Sequence, residues 1–126
     1  YNRTPERAIE LAELHSGLGN ITHSQSEDPA ASQPFDLVIN ATSAGHDRQL
    51  PLISHRLFAG GGACYDLKYG RTHKVLGEWC KAHGFACHDG LGMLVEQAAE
   101  SFRIWTDFEP DTGPVIGVLR EELAAG

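Results

Sequence analysis

Residues 35–45, FDLVINATSAG, decide the fold. Leu37, Val38 and Ile39 make an unbroken apolar run that ends in small and polar residues. A half-exposed strand alternates apolar with polar, so a continuous run of this length predicts a strand buried on both faces, as in a parallel sheet. Downstream, residues 51–58 read as a short helix, Gly60-Gly61-Gly62 as a turn, and Ala63-Cys64-Tyr65-Asp66-Leu67 as a second strand. Residues 72–83 carry Val75, Leu76 and Trp79 on one side of a helix that closes at Gly84, and a short strand follows over 85–88.

Towards the amino end, Thr4-Pro5 reads as a capping threonine with proline in the first helical position. Ala8, Ile9, Leu11, Ala12 and Leu14 then form one apolar stripe that stops at Ser16-Gly17. Ile21-Thr22-His23 reads as a brief strand, and residues 24–34 as a polar, turn-rich connection. Towards the other end, a long helix is expected from Leu91 to Trp105, a turn over 107–112, and a final helix from Pro114 to Ala124. Strands alternating with helices give an α/β fold with a parallel sheet. The pattern becomes wholly helical after Gly90, which divides the chain into units 1–89 and 90–126.

The net charge of −7 argues against a general affinity for nucleic acid, which calls for clustered positive charge. No apolar run approaches the roughly 20 residues of a membrane span. Three cysteines, odd in number and without a CxxC pair, speak against a disulfide framework and for a reducing compartment, with the cytoplasm as the expected location. Tyr1 is not an initiator Met, and a longer native chain is expected.

In doubly wound sheets ligands bind beyond the carboxyl ends of the strands. The positions to watch are therefore Asn2-Arg3-Thr4, Asn40-Ala41-Thr42-Ser43, Asp66-Leu67-Lys68-Tyr69 and Asp89-Gly90-Leu91-Gly92. Arg3 and Arg7 at a helix start oppose the helix dipole, which favours acids there. They make sense as ligands of an anion, with the free N–H groups of the first turn as further donors. In dinucleotide folds an arginine in such a place accommodates a 2′-phosphate, which suggests NADP over NAD. The plainer reading is two solvated surface arginines.

Four segments carry a resemblance. NRTPERA at 2–8, FDLVINATSAG at 35–45, YDLKYG at 65–70 and DGLGMLVEQAAESFRIW at 89–105 stand in the order found in the carboxyl-terminal part of shikimate dehydrogenases. The chain resembles that family over almost its whole length. The resemblance implies a partial Rossmann-like NADP-binding domain at 1–89 that lacks its first strands. It further implies a helical pair at 90–126 that returns to pack on an upstream catalytic domain. By position, Asn2, Arg3, Thr4 and Arg7 match the element that binds the 2′-phosphate, and Thr42 and Ser43 the loop beside the cofactor. Leu67 and Gly90 match positions near the nicotinamide, and Tyr69 and Gln97 residues that contact the substrate. Leu67 replaces a common Met, a volume-conserving swap, and Lys68 stands where an apolar or aromatic residue is usual.

The implied activity is reversible NADPH-dependent reduction of 3-dehydroshikimate to shikimate, with a quinate/shikimate paralogue or a non-catalytic binding fragment as the alternatives. The family's glycine-rich loop, catalytic lysine and partner aspartate are expected upstream, so no catalytic residue is assigned here. No GxGxxG follows any expected strand, and Lys68, Lys74 and Lys81 are the only lysines. In the order 3-2-1-4-5-6, lacking strands leave two unpaired sheet edges unless another chain supplies them, which invites strand exchange or aggregation; a homodimer is left open as a partner. Asp66 reads as a structural residue that holds its loop by hydrogen bonds. Cys80-x2-His83-x3-Cys87-His88 fits no standard zinc spacing, and no metal is assigned. Standing alone, the helical pair is expected to expose Val95, Phe102, Val118 and Leu119.

Overall fold

The computed structural model describes residues 1–24, 33–42, 50–51 and 53–125. Helix α1 spans Pro5–Leu14, strand β1 Phe35–Asn40, β2 Phe58–Asp66, helix α2 Lys74–Ala82, β3 Ala86–His88, α3 Leu91–Thr106 and α4 Thr112–Ala125. The strands form one parallel sheet in the order β1-β2-β3, with β2 in the centre. Single-turn 3-10 segments at His55–Leu57 and Gly70–Thr72 lead into β2 and α2.

The core lies between one face of the sheet and α2. Leu76 and Cys80, one helical turn apart, are buried against Leu57, Phe58 and Cys64, and Val38, Trp79, Phe85 and Cys87 pack around them. The helix ends as its sequence dictates. Gly84 takes φ 77°, its N–H donates to the Lys81 carbonyl, and the Phe85 N–H donates to the Cys80 carbonyl. This pair of bonds satisfies the last carbonyls and needs a residue that tolerates the left-handed region. It also delivers Phe85 onto Phe58, ring centroids 4.2 Å apart.

Several expectations change. β1 is not buried on both faces: Phe35, Leu37 and Ile39 are 47%, 53% and 58% exposed, because α2 covers only the face that carries Val38. Ile21-Thr22-His23 forms no strand. The short helix expected over 51–58 shrinks to the 3-10 turn at His55–Leu57. The triple glycine lies inside β2: Phe35 pairs with Phe58 and Leu37 with Ala63, so residues 59–62 bulge opposite Asp36 alone. Gly61 has φ 83°, and a Cβ on Gly62 would stand 2.9 Å from the Phe35 carbonyl oxygen. In the helical pair, Phe102 and Val118 are exposed as expected, at 44% and 55%, but Val95 is 8% exposed and belongs to the core. None of the described helices is long and apolar enough to cross a membrane.

Candidate functional site

The carboxyl ends of the strands are knitted together by a buried polar network. Asn40 ends β1 and Asp66 ends β2, and they are 6% and 1% exposed. Asn40 Nδ2 donates to Asp66 Oδ1 at 2.9 Å, and the Lys68 N–H donates to the same oxygen at 3.3 Å. Asp66 Oδ2 lies 3.0 Å from His73 Nδ1 just before α2. Each carboxylate oxygen therefore has a partner, which is what a buried acid requires. The structural role expected of Asp66 is what the geometry shows.

The loops beyond the strands hang from this network. Thr42 donates to Asn40 Oδ1 through both its N–H, at 3.2 Å, and its hydroxyl, at 2.8 Å, which folds the chain back after β1. The Leu67 N–H donates to the Asn40 carbonyl at 3.1 Å, and the Gly90 N–H donates to the Lys68 carbonyl at 2.8 Å. The three loops after β1, β2 and β3 are thus joined edge to edge. Gly90 is required by contact: a Cβ there would overlap the Leu67 carbonyl group. Asp89, ahead of the cap residue Gly90, accepts from the Leu91 N–H at 3.3 Å, and its two oxygens accept from Arg120 Nη1 and Nη2 at 3.1 Å each. This two-pronged contact brings α4 onto the β3–α3 loop. On the neighbouring loop, a Cβ on Gly70 would stand 3.0 Å from Leu123 of α4.

The expected site residues distribute as follows. Thr42, Leu67 and Gly90 share the strand-end network. Leu67 and Tyr69 are 37% and 39% exposed beside it. Gln97 is exposed on α3, where its Nε2 donates to the Leu94 carbonyl at 3.0 Å, and no hydrogen bond joins it to Tyr69. Ser43 lies outside the described residues. Asn2, Arg3, Thr4 and Arg7 gather at the amino end of α1. There Thr4 occupies the cap position, but its side chain makes no capping bond; Asn2 Oδ1 instead accepts from the Thr4 N–H at 2.9 Å. Arg3 and Arg7 are exposed, four residues apart, and neither has an ion pair or hydrogen bond from its guanidinium among the described residues. Lys68 Nζ is enclosed without a hydrogen-bond partner among the described residues.

Sequence reasoning missed His73, and it missed Arg120 as the partner of Asp89. Both pair across intervening elements, and neither lies in a motif. Asn40 was visible as the polar end of an apolar run.

Known proteins can now be set beside this geometry. Residues 90–120 match the family model of the shikimate 5'-dehydrogenase C-terminal domain. A shikimate dehydrogenase (NADP(+)) of Nitrosospira multiformis is 45% identical over 98% of this chain, which covers 45% of that protein. One of Alkalilimnicola ehrlichii is 47% identical over 96% of the chain and 44% of its own length. The crystal structure of a Thermus thermophilus shikimate 5-dehydrogenase in complex with shikimate superposes with a TM-score of 0.68 at 31% identity, covering 98% of this chain and 44% of that one. The chain thus spans less than half the length of the curated relatives it matches. Identity, family model and fold agree: this chain is similar to the carboxyl-terminal part of shikimate dehydrogenases.

Proposed function

We propose that this chain supplies the adenosine side of the cofactor site, and part of the substrate wall, of an NADP-dependent shikimate dehydrogenase that interconverts 3-dehydroshikimate and shikimate. The observation that carries the reading is the pair Arg3 and Arg7: two exposed guanidiniums without a partner among the described residues, four positions apart at the amino end of α1. A phosphate ester carries the charge and the acceptor oxygens that two such forks and a helix amino end would take up. The relatives named above as acting with NADP(+) support the same choice.

The residues present fit the dinucleotide on two further counts. Gly90 lets the β3–α3 loop approach β2 to backbone contact, leaving no side chain between Leu67 and the strand ends. Lys68 Nζ, enclosed and without a partner among the described residues, calls for an anionic or carbonyl acceptor. Asn2, Arg3, Thr4 and Arg7 hold the 2′-phosphate in this reading, and Thr42 and Ser43 flank the cofactor. Leu67 and Gly90 form the nicotinamide wall, and Tyr69 and Gln97 face the substrate. When bound, the nicotinamide supplies the hydride. The chain's own residues bind, orient and exclude water, and the proton is handled by upstream groups. Residues 1–89 act as the cofactor unit and 90–126 as the helical return onto an upstream catalytic domain, in the cytoplasm.

Calorimetric titration with NADPH and with NADH tests this. NADPH is expected to bind more tightly, and Arg3→Ala to weaken it by roughly tenfold to a hundredfold, the equivalent of about 1.5–3 kcal/mol for a hydrogen bond to a charged group. NADH binding should not change. Equal affinity for the two cofactors, or an Arg3→Ala protein that still prefers NADPH, would remove the assignment.

A further inference from the structure

The interior between the sheet and α2 holds all three cysteines of the protein. Cys64 and Cys87 are register partners on the adjacent strands β2 and β3, and Cys80 comes in from α2. Among the described residues their sulphurs lie within 4.8 Å of one another. Cys64 and Cys80 are fully enclosed, while Cys87 is partly exposed. The histidine that sequence spacing associated with Cys80 stands apart, because His83 Nδ1 donates to the Trp79 carbonyl at 2.8 Å and its ring stacks on Trp79.

We propose that Cys64, Cys80 and Cys87 form a three-thiol chelating site for a trivalent, thiophilic metalloid of the arsenite class. Coordination number and charge select that class. Structural zinc takes four protein ligands, and no fourth His, Cys, Asp or Glu joins this cluster among the described residues. Soft sulphur ligands favour soft ions. The surroundings are Leu57, Phe58 and Leu76, so a complex that keeps a net charge is penalised. A monovalent ion on three thiolates would leave two negative charges in the core, and a divalent ion one. A trivalent centre leaves none.

The chemistry balances without any oxidant. Arsenite, As(OH)3, meets three thiols; three As–O bonds break and three As–S bonds form. Each thiol proton leaves with a hydroxide as water, and arsenic and sulphur keep their oxidation states. Cys87, the partly exposed member, is the point of entry. Two strands and a helix hold the sulphurs together before the reagent arrives, so the folded chain should bind more tightly than an unfolded one, in which two separate loops must close.

The test is incubation of the folded protein with sodium arsenite, followed by native mass spectrometry and arsenic X-ray absorption. The expected product carries one arsenic less three protons, with three sulphur neighbours and no oxygen, and the melting temperature rises because the ligand binds the native state. Cys87→Ser should yield an adduct that keeps one oxygen and binds at least about tenfold more weakly, the factor that separates two-point from three-point attachment here. Substitutions of Cys64 and Cys80 disturb the core, so the absorption spectrum of the unsubstituted protein carries the decision. A spectrum with two sulphurs and an oxygen, or affinity no greater than that of the chain in urea, would overturn the proposal.

Discussion

Two leucine-bearing helices show opposite fates for the same sequence pattern. In α2, Leu76 is 2% exposed and sits over Cys64 and Phe58. In α1, Leu11 and Leu14 are 53% and 74% exposed, and the apolar side of the helix lines an open groove of about 280 Å³ with Leu18 and Ile21. Both helices were legible from their apolar spacing. Only α2 has a sheet to press against within the described residues. Amphipathicity fixes where a helix forms and which face is apolar, but the partner face decides whether burial follows.

The contrast can be broken in several places. Asp66→Ala should have the largest effect, because it strips the acceptor from Asn40, Lys68 and His73 at once; each buried polar group left unpaired costs about 1–3 kcal/mol. A urea unfolding curve that moved by less than about 1 kcal/mol would mean that the strand ends are held by something other than this network. Next, Leu76→Ala should cost about 2–5 kcal/mol, whereas Leu14→Ala should stay within about 0.5 kcal/mol. Comparable losses at the two sites would show that the α1 face is buried in solution.

Gly90→Ala probes the loop contact directly. The added Cβ collides with backbone at Leu67, which cannot swing away as a side chain would, and overpacking of this kind costs about 1–3 kcal/mol. The same variant should weaken NADPH binding by displacing the β3–α3 loop; unaltered stability and binding would show that the loop yields. The mildest effect near neutrality concerns the thiols. Cys64 moves from a thiol's ordinary 9.0 up to about 12 because burial disfavours the thiolate. The unfolded chain then releases this proton at lower pH than the folded one, so the stabilisation is complete below pH 9 and is lost as pH rises towards 12. Stepwise urea titrations should show that decline, and Cys64→Ala should lessen it, the likewise raised Cys87 keeping the remainder.

What could be read from sequence follows the range of the forces involved. α2 and its Gly84 stop, α3, and the end of β1 at Asn40 are set by neighbours within a few residues, and all were legible. The exposure of Leu37 and Ile39 was not, because an apolar run reports a preference for burial and is silent on whether a covering layer is there. The placement of Gly60-Gly61-Gly62 misled for a related reason. Glycine signals unusual backbone, and a bulge inside β2 answers that signal as well as a turn does. Around the strand ends, the rule that ligands bind beyond the carboxyl ends singled out Leu67, Tyr69 and Gly90 as positions to watch, but the link from Asp66 to His73 crosses a loop, and the cysteine cluster draws on two strands and a helix. No local pattern encodes such meetings.

The contact between Asp89 and Arg120 also has a meaning in time. The two residues are 31 positions apart, and Arg120 is the later of them. On the ribosome, β3 and the loop carrying Gly90 emerge first, so the loop cannot take its final clamp until α4 has been made and has swung back. The Asp89–Arg120 contact is thus a late event in biosynthesis, whereas the bond from the Gly90 N–H to the Lys68 carbonyl needs only residues made before it.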